Sequence, residues 1–158
     1  RRITRYWHPY HAQLRTLLER ARDRFGEVVL IDCHSMPHEA LDGVARNSAR
    51  RPEIVIGDRF GASAAPEIVA RIEGAFAGAG LSVVRNTPFA GAYVTQTYGR
   101  PSRRQHAIQV EIDRSIYMDE ERIRPNGNFH AFRRLLRGVV AEIAAIGHRE
   151  EEQPLAAE

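Results

Sequence analysis

The residues able to do chemistry gather at the ends of two apolar runs. Val28-Val-Leu-Ile-Asp-Cys-His-Ser35 starts apolar and β-branched and stops abruptly at Asp32, His34 and Ser35. Ala107-Ile-Gln-Val-Glu-Ile-Asp113 carries Glu111 in an equally apolar setting. A neutral imidazole is a good zinc ligand, and a nearby carboxylate or carbonyl orients its ring. His34 is therefore a candidate metal ligand and Asp32 its candidate orienting group. A carboxylate among Ile108, Val110 and Ile112 is costly to desolvate unless it is paired or faces a cavity. Facing a cavity beside a metal, Glu111 would take a proton from a metal-bound water and pass it to a leaving nitrogen. Paired with an arginine such as Arg114, it would be structural. An imidazole and an acid on two buried strands suggest metal-assisted hydrolysis.

Other arrangements carry less. His34 and His38 are four apart, a metal pair only on a helix, and Pro37 between them opposes a helix. His8 and His11 share a face at the start of the first helix. With no third ligand they read as surface or packing groups. Cys33 sits inside the apolar run and reads as a small buried hydrophobe. Ser35 is not in a nucleophile elbow. Gly57-Asp-Arg-Phe-Gly61 lacks the lysine and the Ser/Thr of a phosphate loop.

The elements that must position these groups follow from periodicity and punctuation. Tyr6, Tyr10, Leu14, Leu17, Leu18, Ala21 and Phe25 recur at helical spacing over 6–25, with Gly26 as C-cap. A strand is expected over 28–34, which puts Asp32 and His34 on one side and Cys33 on the other. Residues 35–52, with Pro37, Gly43 and Pro52, read as a long functional loop. Ile54–Ile56 is a short strand. Ala65–Ala79 is a helix with Ser63 as a candidate cap and Pro66 in its first turn. Leu81–Arg85 is a strand. The Gly-, Pro-, Thr- and Tyr-rich stretch Asn86–Arg104 is a loop with an extended piece at Ala92–Thr97. Ala107–Ile112 is a strand, with Gln109, Glu111 and Asp113 on one face and His106 on the other. Asn128–Ile146 is the last helix. Residues 1–148 read as one α/β layered catalytic domain with a mixed, largely parallel sheet flanked by helices. Residues 149–158 read as a disordered charged tail.

Composition narrows the function classes. The 158 residues are 43% hydrophobic and 27% charged, which fits a globular chain with one core. No apolar run reaches 18 residues, so no membrane span is expected, and no secretory signal is read at the start. One cysteine points to a reducing, cytoplasmic setting. All 23 basic residues are arginine, against 20 acidic ones, for a net charge of +3. The two signs are interspersed, which disfavours a nucleic-acid partner. Arginine's planar fork suits a small carboxylate substrate instead.

Six segments in order carry a resemblance: Tyr6–His11, Leu30–Met36, Ile56–Gly61, Asn86–Val94, Tyr98–Pro101 and Ala107–Glu120. From about residue 5 to about residue 140 the chain resembles the N-formylglutamate amidohydrolase family. That family is similar in fold to zinc carboxypeptidases and aspartoacylases, of phosphorylase/hydrolase-like architecture. The resemblance implies a bacterial hydrolase that splits N-formyl-L-glutamate into formate and L-glutamate in histidine breakdown. It implies His34 as a ligand of a divalent metal, zinc above others, and Glu111 as general base. The remaining ligands, a histidine and a glutamate, are expected in an earlier segment upstream of Arg1, so the domain is expected without its N-terminal part. Among Arg46, Arg59, Arg85, Arg100 and Arg114, the matching segments favour Arg59 and Arg114 for substrate carboxylates, with Asn86 and Tyr93 supplying hydrogen bonds. The alternatives are another metallo-deacylase of N-acyl acidic amino acids and a non-catalytic, carboxylate-binding fragment.

Overall fold

A computed structural model describes residues 1–46 and 50–146. The expected tail at 149–158 lies outside the described residues. A π-helical turn, Ile3–Trp7, leads into α1 (His8–Phe25), where Pro9 stands in the first turn. Gly26 ends α1 with φ +77° and donates to the Arg22 carbonyl, as a left-handed cap requires. β1 (Val28–Met36) runs two residues beyond the expected strand. The expected loop after it contains a 3₁₀ turn, His38–Leu41, and a one-turn helix α2 (Asp42–Ala45). The chain continues through β2 (Ile54–Gly57), α3 (Pro66–Gly78), β3 (Val83–Arg85), α4 (Tyr93–Tyr98), β4 (Gln105–Asp113), a small hairpin of β5 (Met118–Asp119) and β6 (Arg124–Pro125), and α5 (Phe129–Ala145).

The main sheet has the order β1-β4-β2-β3. β1 runs parallel to β4, β2 parallel to β3, and β2 antiparallel to β4. The mixed, mostly parallel sheet between helices is the expected α/β class. β4 is central, and its Ile108 and Val110 are buried. They meet Ile54 and Ile56 of β2, Ile68, Val69, Ile72 and Phe76 of α3, and Val139 of α5. On the opposite face Leu18 of α1 is buried with Tyr98 and Ala107, and Leu14, Val28 and Leu30 pack around them. Among the described residues no helix is long and apolar enough to cross a membrane.

Three expectations require correction. Ala92–Thr97 is not extended: Tyr93–Tyr98 forms α4, and the Thr95 hydroxyl folds back onto the Ala92 carbonyl. The β-branched Val94, Thr95 and Thr97 favour a strand locally, but Val94 and Tyr98 bury better against α1 as one helical turn. Ser63 does not cap α3. Its hydroxyl donates to the Ala107 carbonyl, and the first-turn N–H of Ala65 is taken by Nδ1 of buried His106. Cys33 is exposed rather than buried. It lies on β1, which among the described strands pairs only with β4 and so forms an open edge of the sheet.

One glycine sets how closely two segments approach. A Cβ on Gly57 would stand 2.6 Å from the Gly91 nitrogen and 2.7 Å from the Ala90 carbonyl carbon, both backbone atoms that cannot swing aside. Gly57→Ala is expected to destabilise the fold by about 2 kcal/mol, lowering Tm by about 4 °C or more. Gly74→Ala, in α3 with no atom within 4 Å of the new methyl, should stabilise by about 0.5–1 kcal/mol. Paired thermal melts check both signs.

Candidate active site

Register brings the two principal residues together. In the parallel β1–β4 ladder His34 stands opposite Glu111 and Asp32 opposite Gln109. Alternation therefore puts Asp32, His34, Gln109 and Glu111 on one face, near the C-terminal ends of both strands, where open α/β sheets place ligands. Neighbouring strands lie about 4.8 Å apart, so the two side chains rise side by side.

His34 is half exposed, and its Nε2 lies 3.0 Å from Asp32 Oδ2. Asp32 thus holds one nitrogen of the ring and fixes its orientation. Glu111 is buried and accepts from Gln109 Nε2 at 2.8 Å. Its pKa is raised, chiefly by burial; the His34 ring, the Gln109 hydrogen bond and the Arg114 charge pull it down, and Asp32 pushes it up. A carboxyl poised above the ordinary range while still facing an imidazole suits proton transfer in both directions. Glu111 is not in an ion pair with Arg114. That guanidinium donates to the Ser35 hydroxyl and carbonyl and stands 3.9 Å from Glu120.

Gln109 was not among the site residues read from sequence, although its place on the Glu111 face was. Its Oε1 accepts from the Ala92 N–H at 2.9 Å while its Nε2 holds Glu111, so one amide joins Glu111 to the first turn of α4. Tyr93 follows in that turn, exposed, with its ring against Trp7 and His11. His11 is buried and its Nδ1 lies 2.7 Å from the Tyr98 hydroxyl, a packing role that separates it from exposed His8. His38 makes no pair with His34. Its Nδ1 lies 2.7 Å from buried Asp113, and no helix spans 34–38.

The other candidates divide. Arg59 leaves β2 in a left-handed conformation, φ +55°, and its N–H donates to Ala90 across the same contact that needs Gly57. Its half-buried guanidinium has no hydrogen-bond or ion-pair partner among the described residues. Asn86 is occupied within the chain: Oδ1 accepts from the Asp58 and Phe60 N–H groups, and Nδ2 donates to Asp58. It shapes the turn that presents Arg59. Arg85 is paired with Glu73 and Arg100 with the Gln96 and Gly99 carbonyls. Arg46 is exposed just after α2. A cleft of about 590 Å³ opens on the α5 side of β1, with His34, Arg114, Tyr117, Phe129 and Phe132 in its walls. Cys33 lies in the same wall, its thiol pKa raised by partial burial and then by Asp32, which makes it a poor nucleophile.

No group of three or more His, Cys, Asp or Glu side chains among the described residues is arranged to hold a metal ion. His34, with its Asp32 partner, fits one coordination position of a catalytic zinc, which takes three protein ligands. The residues described do not complete such a centre.

Comparison with known proteins places this arrangement. The sequence profile described as N-formylglutamate amidohydrolase matches residues 1–118. An N-formylglutamate deformylase of Pseudomonas putida is 38% identical over 125 residues, covering 76% of this chain and 44% of that protein. One from Pseudomonas aeruginosa is 37% identical over 126 residues, covering 77% and 45%. A crystal structure of N-formylglutamate amidohydrolase from Ralstonia eutropha JMP134 superposes with a TM-score of 0.79 at 35% identity, over 92% of this chain and 51% of that one. The chain spans about half the length of these relatives. On profile, sequence and fold together, the chain belongs to the N-formylglutamate amidohydrolase family.

Proposed function

We propose that this chain carries the general base and part of the substrate-holding surface of an enzyme that hydrolyses N-formyl-L-glutamate to formate and L-glutamate. The observation that carries the reading is the pairing of His34 and Glu111 in register on one face, within a chain of this family. In this mechanism the Glu111 carboxylate takes a proton from the attacking water, and the oxygen so activated adds to the formyl carbon. The tetrahedral adduct collapses with cleavage of the C–N bond, and the proton held on Glu111 passes to the departing amine nitrogen. Gln109 holds the carboxylate in place through both transfers. Asp32 keeps the His34 ring in one orientation. A divalent metal, zinc by donor type, would sit on His34 and supply Lewis acidity. Because the described residues complete no such centre, none of these steps is routed through it.

The substrate carries two carboxylates, and Arg59 is the cation we assign to one of them. A half-buried guanidinium without a protein partner on the site's own loop is what a bidentate carboxylate would satisfy. Arg114, fixed by Ser35 beside His34, is assigned to the other. Tyr93 flanks the same space from the start of α4, and Asn86 acts through the Arg59 turn. We place the reaction in the bacterial cytoplasm, in keeping with the single cysteine. The rival, a deacylase of other N-acyl acidic amino acids, uses the same groups; relative rates on N-formyl- and N-acetyl-glutamate and -aspartate separate the two.

The direct test is formate release from N-formyl-L-glutamate by the intact protein supplied with zinc; no release removes the substrate assignment. Glu111→Gln should lower kcat by about 10²–10⁴-fold. The same change should raise stability at neutral pH. A carboxyl whose folded pKa is raised favours the folded state below its unfolded pKa and loses that contribution as pH climbs through the folded value, so removing the ionisable group relieves the penalty. A higher Tm than that of the parent chain is expected at neutral pH, with the difference shrinking as the pH is lowered.

The acid limb of kcat/KM against pH should lie above the ordinary glutamate range, because the base works only when ionised. Gln109→Leu removes a hydrogen bond to that ionised form and should move the limb to higher pH; a limb that stays in place refutes the role of Gln109. Arg59→Gln should raise KM for N-formyl-L-glutamate about tenfold or more, and Arg59→Lys should restore only part of it, because an ammonium cannot reproduce the two-pronged contact.

A further inference from the structure

At the far end of α4 from Tyr93, the chain encloses a second hollow, of about 250 Å³, between the C-terminal half of α1 and the turn that leads into β4. Its walls include Arg15, Arg22, Arg100 and Arg103, with Glu19 as the one carboxylate and Tyr98 beside them. The hollow also touches Gln105, the first residue of β4, six positions before Glu111. At about 3.3 Å per residue, that is roughly 20 Å from the candidate base.

Four guanidinium groups around one hollow repel each other unless a counter-charge enters. The protein supplies little. Arg22 has only Asp23, at 3.8 Å, and its place in the last turn of α1 favours the helix dipole. Arg100 is held in position by the Gln96 and Gly99 carbonyls, which are neutral. The side chains of Arg15 and Arg103 have no hydrogen-bond or ion-pair partner among the described residues. The turn bearing Arg100 and Arg103 is rigid: Arg103 N–H donates to the Arg100 carbonyl, Arg104 N–H to Pro101, and Arg100 exchanges backbone bonds with Gln105. The backbone that carries these arginines is thus fixed by a 3₁₀ turn and a helix, and the Arg100 guanidinium is held by two carbonyls, while the exposed Arg15 and Arg103 side chains are free to close on a ligand.

We propose that this hollow binds a compact multivalent oxyanion, a phosphorylated or polycarboxylated small molecule, at the opposite end of β4 from Glu111. The volume suits an anion of a few heavy-atom groups, and planar guanidinium forks suit phosphate and carboxylate oxygens alike.

Isothermal titration of the whole chain in low-chloride buffer, with pyrophosphate and with citrate, tests this. One saturable site for at least one anion is expected. A response to pyrophosphate alone identifies the phosphorylated class, and a response to citrate alone the polycarboxylated class. The double variant Arg15→Gln with Arg103→Gln should weaken binding about tenfold or more. Both side chains are exposed, so the melt should be unchanged and the loss attributable to the site. Glu111→Gln and Arg59→Gln should bind as the parent chain does. No saturable binding by about 10 mM overturns the proposal. So does equal affinity in the double variant, loss of binding in Arg59→Gln instead, or binding of a short oligonucleotide where both small anions fail.

Discussion

The parallel pairing of β1 with β4 is the constraint on which the site depends. Its register sets His34 beside Glu111 and Asp32 beside Gln109, so four polar side chains emerge together on the face opposite the apolar packing of Ile108 and Val110. A slip of one residue would turn Glu111 into the core against Val110's neighbours and bring Cys33 to the site face. The register is held because such a slip would also expose Ile108 and Val110, which are buried against α3 and α5. Packing on one side of the sheet therefore fixes the placement of the polar groups on the other.

Burial gives Glu111 its character and also its liability. Desolvation raises its proton affinity, and the His34 ring, the Gln109 amide and the Arg114 charge limit that rise. The group is thus neither an ordinary surface acid nor a permanently neutral one. Gln109 is the link that makes the balance possible, because it contributes a donor without a charge and draws the start of α4 to the same place. The arginines complement this. Arg114 is tied to Ser35, while the Arg59 guanidinium has no partner among the described residues and stands on a turn braced by Asn86 and Asp58.

Much of this was legible in the sequence. The apolar run ending at Asp32 and His34, the isolated acid at 111, and the helices closed by Gly26 and opened by Pro66 all follow from period and punctuation. The side-by-side placement of 34 and 111 does not, because strand pairing is a long-range choice that no local pattern encodes. The same limit explains the miss at 93–98, where tertiary burial of Val94 and Tyr98 overrode β-branched propensity. Cys33 was misjudged because an apolar run does not reveal whether its strand is central or at an edge. Gln109 was passed over because an amide announces no chemistry by itself; only its two bonds do.

The backbone contact at Gly57 has a consequence for motion. The segment from Asn86 to Ala92 is sewn to the sheet by the bonds Asn86 to Ile56, Arg59 to Ala90 and Ala92 to Gln109, with no side chain between the two main chains at Gly57. Such a wall cannot lift and reseal like a flap. A ligand held against this segment would meet a preformed surface, its shape set by individual side chains rather than by movement of the main chain that bears them.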